Sequence, residues 1–442
     1  MQLFKRKDNK KFVPEDHKFT SDFNSVIFIV VWNSLGFFFI EFIMAYLIKQ
    51  VLNYPAPNLG LFFSFITLGG LISSSFIGYL TDRFSKRILI MIGSFGRGLS
   101  YFGLYISIML YSLIGMYISA FLLGLGAYIF WNPLDSLISE KSSKYYRSSA
   151  FGKRRFALGI GMVLGTIIGF TIFSIANIFT PFNDFIIYGA IPIYGIANFY
   201  AGIQFSRKVD ETMKFENLHD NKNPNTLIEQ DFELSIKLSR TAQMKFYFLG
   251  IILIFAGLSL SAINVGVYRP YIQPYIIENI NSNPSIVSWF YLPTFIIGSL
   301  IAPKLGTIAD KTNPLLAISV ASFLGGIITW LIINSGNLAI FSFLLVLDQT
   351  IMLTTGFVMV NVLSRVSVKH RGKIFGLITF LESIGMIIGP ILGGIIWESI
   401  SPQAPFMISI IVEWSLIPFF VIGIHIINPY IVESIDNKKN LI

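Results

Sequence analysis

Five ionisable residues stand inside otherwise apolar stretches: Glu41, Arg97, Asp348, Glu382 and Glu413. A charge at the centre of a bilayer costs at least ~2.5–3.5 kcal/mol on insertion scales, so each needs a partner or a task. A carboxyl is suited to one task in particular. When its surroundings alternate between water and apolar protein its proton affinity alternates too, and a proton is bound and released. Four carboxyls stand against Arg97, which favours a proton, or a cationic or amphipathic solute, over an anion. Asp348 lies about ten residues, ~15 Å, into its apolar stretch, close to a bilayer midplane; Glu41 lies about sixteen residues, ~24 Å, into its own.

The elements that must hold these residues follow from composition. The chain has 442 residues, 54% hydrophobic and only 13% charged, against about 25% charged in a soluble domain. A soluble or disordered chain is thereby excluded. The absence of cysteine excludes disulfides, thiol catalysis and cysteine metal sites. Twelve apolar stretches have the length that crosses a bilayer: roughly 25–48, 59–80, 88–110, 113–134, 156–176, 185–205, 246–268, 285–308, 315–333, 338–360, 374–397 and 405–427. Tyr111-Ser112 is the only turn available between the third and fourth.

With the N-terminus taken as cytoplasmic, thirty of the 33 Lys and Arg fall in inner segments, and only Lys49 and Arg269 in outer loops. This bias places both termini in the cytoplasm of a cell-membrane protein. It also accounts for the net charge of +9 without a nucleic-acid partner. The expected divisions are a cytoplasmic tail 1–24, a six-span half 25–205, a cytoplasmic loop 206–245, a second six-span half 246–427 and a cytoplasmic tail 428–442. The outer loop 269–284, with three prolines, is expected to be the longest on its side.

The halves repeat one another. Arg147, Phe151 and Gly152 precede Gly161, Gly165 and Gly169; Arg371, Phe375 and Gly376 precede Gly385, Gly389 and Gly393, each pair 224 residues apart. Gly78, Asp82 and Arg83 are matched by Gly306, Asp310 and Lys311 at an offset of 228. Parallel six-span repeats suit a secondary transporter with its site between the halves.

At Gly78-Tyr-Leu-Thr-Asp82-Arg83-Phe-Ser-Lys86-Arg87 the sequence resembles the major facilitator superfamily, whose signature reads G-x-L-A-D-R-x-G-R-[RK]; Thr81, Ser85 and Lys86 depart from it. The resemblance spans about residues 25–427. It implies an all-α fold of twelve membrane helices in two pseudo-symmetric halves, with spans one, four, seven and ten lining a central cavity. It implies a cytoplasmic gate at Gly78, Asp82, Arg83, Arg87, Gly306, Asp310 and Lys311. Asp82 would help hold that side shut near the start of span eleven. Glu41 and Asp348 then fall on lining helices and Glu382 at the interface between halves, which makes them the proton-coupling candidates. Arg97 and Glu413 fall on outer helices, where a structural role is expected.

Helical spacing supplies the cavity candidates: Asn33 and Ser34 in span one; Tyr117, Tyr128 and Trp131 in span four; Ser261, Asn264 and Tyr268 in span seven; Met352 and Thr355 in span ten. The glycines at four-residue spacing, with Pro390, are read as close helix packing; the alternative is an antiporter template, displaced from span five to span eleven. No P-loop, nucleophile elbow or zinc motif is present, and the four histidines are scattered. The expectation is a non-enzymatic, gradient-driven transporter without cofactor or metal, monomeric, with a small organic substrate and protons as partners. Aromatic and methionine-rich walls lean toward export; nutrient uptake is the alternative. A receptor or scaffold would need larger extramembrane domains than this chain has.

Overall fold

The computed structural model describes residues 18–143, 146–179, 183–215, 241–309, 312–364 and 371–428. Most of both tails, the middle of the central loop, and Asp310 and Lys311 of the gate motif lie outside the described residues.

Span one is the chain's most irregular helix. It runs Phe23–Asn33, turns, resumes over Phe37–Tyr46 and ends in a π-turn, Leu47–Val51. The turn exists because Gly36 adopts φ +93°, a conformation that side-chain-bearing residues resist. A methyl group at Gly36 would also overlap the ring of Tyr194, 2.6 Å away. Backbone groups freed at membrane depth need partners. The Ser34 hydroxyl donates to the Val30 carbonyl at 2.6 Å, and the Tyr101 hydroxyl to that of Leu35 at 3.4 Å.

The other spans are Ala56–Arg83 (two), Lys86–Met109 (three), Leu113–Glu140 (four), Arg147–Phe179 (five), Ala190–Lys208 (six), Thr241–Tyr268 (seven), Pro284–Ala309 (eight), Pro314–Ile333 (nine), Leu338–Ser364 (ten), Arg371–Ser399 (eleven) and Ala404–Ile427 (twelve). Among the described residues, ten of the twelve are long and apolar enough on their own to cross a membrane; spans six and eight complete the set. Tyr111, at φ +50°, makes the turn between spans three and four. A short helix, Asp184–Ile187, precedes span six.

Span seven departs from expectation. Residues 269–284 do not form a long loop. A 3-10 turn, Arg269–Tyr271, leads into a helix, Ile272–Asn279, whose residues from Ile272 to Ile277 are buried. Pro270 and Pro274 are tolerated because they stand at the starts of these short elements, where no earlier turn needs their missing N–H.

The repeat is visible in packing. Within the first half, span one packs on five and six, three on four and six, and two on four. Each pairing recurs six spans later: seven on eleven and twelve, nine on ten and twelve, eight on ten. The glycine series make close contacts of this kind. A methyl group at Gly161, Gly165 or Gly169 would overlap span one at Val31, Gly36 or Phe39. At Gly385, Gly389 or Gly393 it would overlap span seven at Ala262, Ile263 or Val267. Backbones approach this closely only where Cβ atoms are missing.

The halves meet mainly through spans two and eleven and spans five and eight. These contacts gather at one end, here called the far face. Lys49 pairs with Glu398 at 2.7 Å, Glu398 accepts from the Ala56 N–H at 2.7 Å, and Ser64 donates to the Ile387 carbonyl at 2.6 Å. Gly394 lies against Pro57, and Gly60 against the Pro390 carbonyl. Trp289 of span eight donates to Ser174 of span five at 3.1 Å. Toward the opposite, near face, positions 78 of span two and 376 of span eleven have no neighbour within 4 Å of where a Cβ would stand.

Candidate functional site

The turn at Gly36 redirects span one so that Glu41, one helical turn further on, faces the other half. The 3-10 turn after span seven brings Arg269 to meet it. Arg269 Nε stands 3.2 Å from Glu41 Oε1. Both side chains are partly accessible, 27% for Arg269 and 33% for Glu41. Arg269 Nη1 points at the Met352 sulfur, 3.5 Å away, a weak acceptor.

This pair separates two cavities. On one side is a chamber of about 280 Å³, walled chiefly by Phe37, Ile40, Phe63, Ile66, Leu123, Met386 and Pro390, with Tyr101 and Thr67 as its other polar groups. On the other side is a crevice of about 30 Å³, lined by Tyr268, Tyr291, Thr294, Asp348 and Gln349 as well as the pair itself. The buried Thr294 hydroxyl there has no protein hydrogen-bond partner, and the crevice is large enough for a water molecule. Asp348 lines this crevice beside Tyr268 and lies within electrostatic range of Arg269. The Arg269 guanidinium is therefore paired with Glu41, with the Asp348 carboxyl of another span in the same crevice.

The remaining candidates divide. Tyr268 and Met352 belong to this cluster. Ser261 and Thr355 are half-buried, the latter bonded to the Ile351 carbonyl at 3.0 Å. Tyr117 donates to Asn58 at 3.0 Å and stacks on Phe65. Tyr128 packs against Gly70. Glu382 is exposed on span eleven, within electrostatic range of Tyr128 and not joined to the Arg269 cluster. Trp131 lies under the Arg154 guanidinium, 4.7 Å from it, and Arg154 pairs with Asp135 at 2.9 Å.

Three cavity candidates are corrected. Asn33 is fully buried inside the first half, donating to Ser94 at 3.0 Å and Asn198 at 2.9 Å and accepting from Arg97. Ser34 is buried beside it. Asn264 turns toward span twelve, 3.4 Å from the Ser409 carbonyl. Arg97 itself is wholly buried, over the Phe37 ring at 4.6 Å. Glu413 packs against Gly325 of span nine.

At the near face Asp82 is exposed and has no hydrogen bond among the described residues, while Arg83 lies over the Tyr79 ring at 4.3 Å. Arg87 donates to the Ser206 carbonyl. Gly306 lies within span eight.

Sequence reasoning missed Arg269, which it placed in an outer loop. The signal was present in the repeat. Arg269 stands 228 residues after Glu41, the same offset that relates Gly78 to Gly306. The carboxylate surplus is correspondingly smaller than the span residues alone indicated.

The family model described as Major Facilitator Superfamily matches residues 26–367 and 254–430. The chain belongs to the major facilitator superfamily. Solved structures agree in fold at low identity. A bacterial homolog of the human lysosomal transporter Spinster, in an inward-facing and unoccupied conformation, is 13% identical with a TM-score of 0.64, over 92% of this chain and 95% of that one. The nucleoside transporter NupG is 15% identical with a TM-score of 0.63, over 90% of this chain and 98% of that one. A structure of proton-dependent oligopeptide transporters is 14% identical with a TM-score of 0.62, over 92% and 96%. No curated protein sequence matches significantly. As a major facilitator superfamily member the chain is a multi-pass membrane protein of a transporter superfamily.

Proposed function

We propose that this protein is a proton-coupled secondary transporter of a small organic solute, working by alternating access and not as an enzyme. The observation that carries the proposal is the Glu41–Arg269 pair at the junction of the two halves, with Asp348 in the same crevice and a chamber of about 280 Å³ beside it. Its position matches where transporter sites lie, at the interface between repeats.

The coupling follows from charge. With Asp348 ionised, two carboxylates compete for Arg269; with Asp348 neutral, Glu41 alone holds it. Moving a two-state equilibrium from 1:99 to 99:1 takes about 5.5 kcal/mol. A proton on Asp348 supplies part of that bias by changing the charge balance around Arg269. Glu382, apart from this cluster, becomes the weaker coupling candidate.

The charge bias supports a cell-membrane orientation with the near face and both termini in the cytoplasm. The arrangement described is then inward-facing. Labelling of a cysteine placed at 215 by an impermeant reagent outside intact cells would overturn this orientation. Aromatic and methionine-rich walls lean toward export, and uptake stands beside it as the second reading.

The deciding experiment is transport of a labelled solute panel by the protein in proteoliposomes, with and without a pH gradient. Gradient-stimulated movement of one solute class is the expected result. Solute movement indifferent to the gradient would remove the proton, and no movement of any class would remove the transport reading.

A further inference from the structure

Resting on the transport reading, we infer that the substrate is a small zwitterion with an apolar body, of the size and charge pattern of a single apolar α-amino acid. The inference is carried by the Glu41–Arg269 pair and the chamber beside it.

The pair is under-used by the protein. Arg269 spends only Nε on Glu41, and its Nη1 faces a thioether. Among the described residues Glu41 has no hydrogen-bond partner except Arg269. Both side chains retain accessible surface. A guanidinium fork with unspent N–H groups matches a carboxylate in a bidentate geometry. A carboxylate with an unspent oxygen matches an ammonium. The two stand side by side, as the charged ends of an α-amino acid do.

Charge excludes the alternatives. A purely cationic solute gains Glu41 but is placed against Arg269. A purely anionic one gains Arg269 but is placed against Glu41 and Asp348. A neutral solute leaves the pair closed and gains no charge-assisted hydrogen bond. A zwitterion inserts between them and satisfies both. Its body then meets Phe37, Ile40, Phe63, Ile66, Leu123 and Met386. The chamber, about 280 Å³, lies at the small end of ligand cavities, about 300–1,000 Å³, and accommodates one residue-sized body.

The test is calorimetric titration of the purified full-length protein with phenylalanine, phenylalanine methyl ester (cation only) and 3-phenylpropionate (anion only), repeated with the leucine series. At least tenfold tighter binding of an amino acid than of both its single-charge analogues is expected. Arg269→Gln should erase the advantage over the ester, and Glu41→Gln the advantage over the carboxylate. Arg269→Lys, which keeps the charge, should preserve the order. A single-charge analogue that binds as well as its amino acid overturns the inference, as does failure of both amino acids to bind. The ratios in the native protein decide even where a variant does not fold. If the proteoliposome panel reveals another solute class, the zwitterion falls and transport stands. If phenylalanine binds with this charge preference but nothing is moved, transport falls and the binding site stands.

Discussion

Glu41 and Arg269 face one another across 3.2 Å and are related by the internal repeat, 228 residues apart. Gln50 and Glu278 show the same relationship, 228 residues apart and 2.9 Å from donor to acceptor. Where two halves are related by a pseudo-twofold axis, equivalent positions meet at that axis. The axis therefore runs past these two pairs, and the chain has placed an acid and a base at one equivalent position.

Because the positions are equivalent, exchanging the charges should preserve the pair. Glu41→Gln and Arg269→Gln alone are each expected to lower transport at least tenfold. The double exchange Glu41→Arg with Arg269→Glu is expected to recover part of it. A double-mutant cycle on transport rate should give a coupling of about 0.5–3 kcal/mol, the range for residues in contact. Additive losses would show that the two residues act separately.

Asp348→Asn fixes the third charge in its neutral form. Transport driven by a pH gradient should be abolished while solute exchange at equal pH persists. Native gradient-driven rates in this variant would strip Asp348 of its role as a required proton carrier.

Gly60 gives a handle on the far face. A methyl group there would overlap the Pro390 carbonyl oxygen, part of another helix's backbone, so Gly60→Ala should disfavour far-face closure. A cysteine at position 63, on the chamber wall, should then react several-fold faster with a reagent applied at the far face. Gly78→Ala, which meets nothing within 4 Å, should leave that rate unchanged. Equal rates in the Gly60→Ala and native backgrounds would show that this contact does not hold the far face shut.

Asp82 stands at the near face, exposed and without a hydrogen bond among the described residues. If its carboxylate acts only when the near face closes, Asp82→Asn should slow transport with little change in melting temperature or substrate binding. Normal transport rates in that variant would count against a latch.

Glu211 ties the start of the central loop to the N-terminus of span three. Partial burial works against its charged form. That is outweighed by hydrogen bonds from the Ser85 hydroxyl and from the N–H groups of Lys86 (2.7 Å) and Arg87 (3.3 Å), with the Lys86 charge nearby. Its pKa is held below the ordinary glutamate value of 4.5. A carboxyl depressed in the folded state contributes stability above its unfolded pKa and loses it as pH falls through the folded value. Melting temperature should therefore decline as pH is lowered through and below about 4.5, the ordinary glutamate value. Glu211→Gln should flatten that decline while lowering the melting temperature at pH 7. An acid limb identical in both proteins would dismiss this contribution. Beside it, Lys141 is fully buried and bonded to Asp22 at 2.6 Å and to the Asp210 carbonyl at 2.6 Å, so the loop's first residues belong structurally to the first half.

The sequence by itself determined the twelve spans, their pairing into repeats and the family, because each of these is written locally. An apolar run of about 20 residues crosses a bilayer wherever it occurs. Glycines at four-residue spacing mark close packing before the partner is known, and spans one and seven proved to be those partners. What only the tertiary structure decided is where each polar side chain points. Asn33 and Asn264 have the spacing of cavity residues, yet both turn into their own halves, since rotation about a helix axis is set by the neighbours packed against it. The turn at Gly36 aims Glu41, and its φ of +93° cannot be read from an apolar run that merely contains a glycine. Arg269 follows an apolar stretch and is flanked by Pro270, so local rules read it as loop. It is retained within the fold because a carboxylate from the other half, 228 residues away in the chain, compensates its charge.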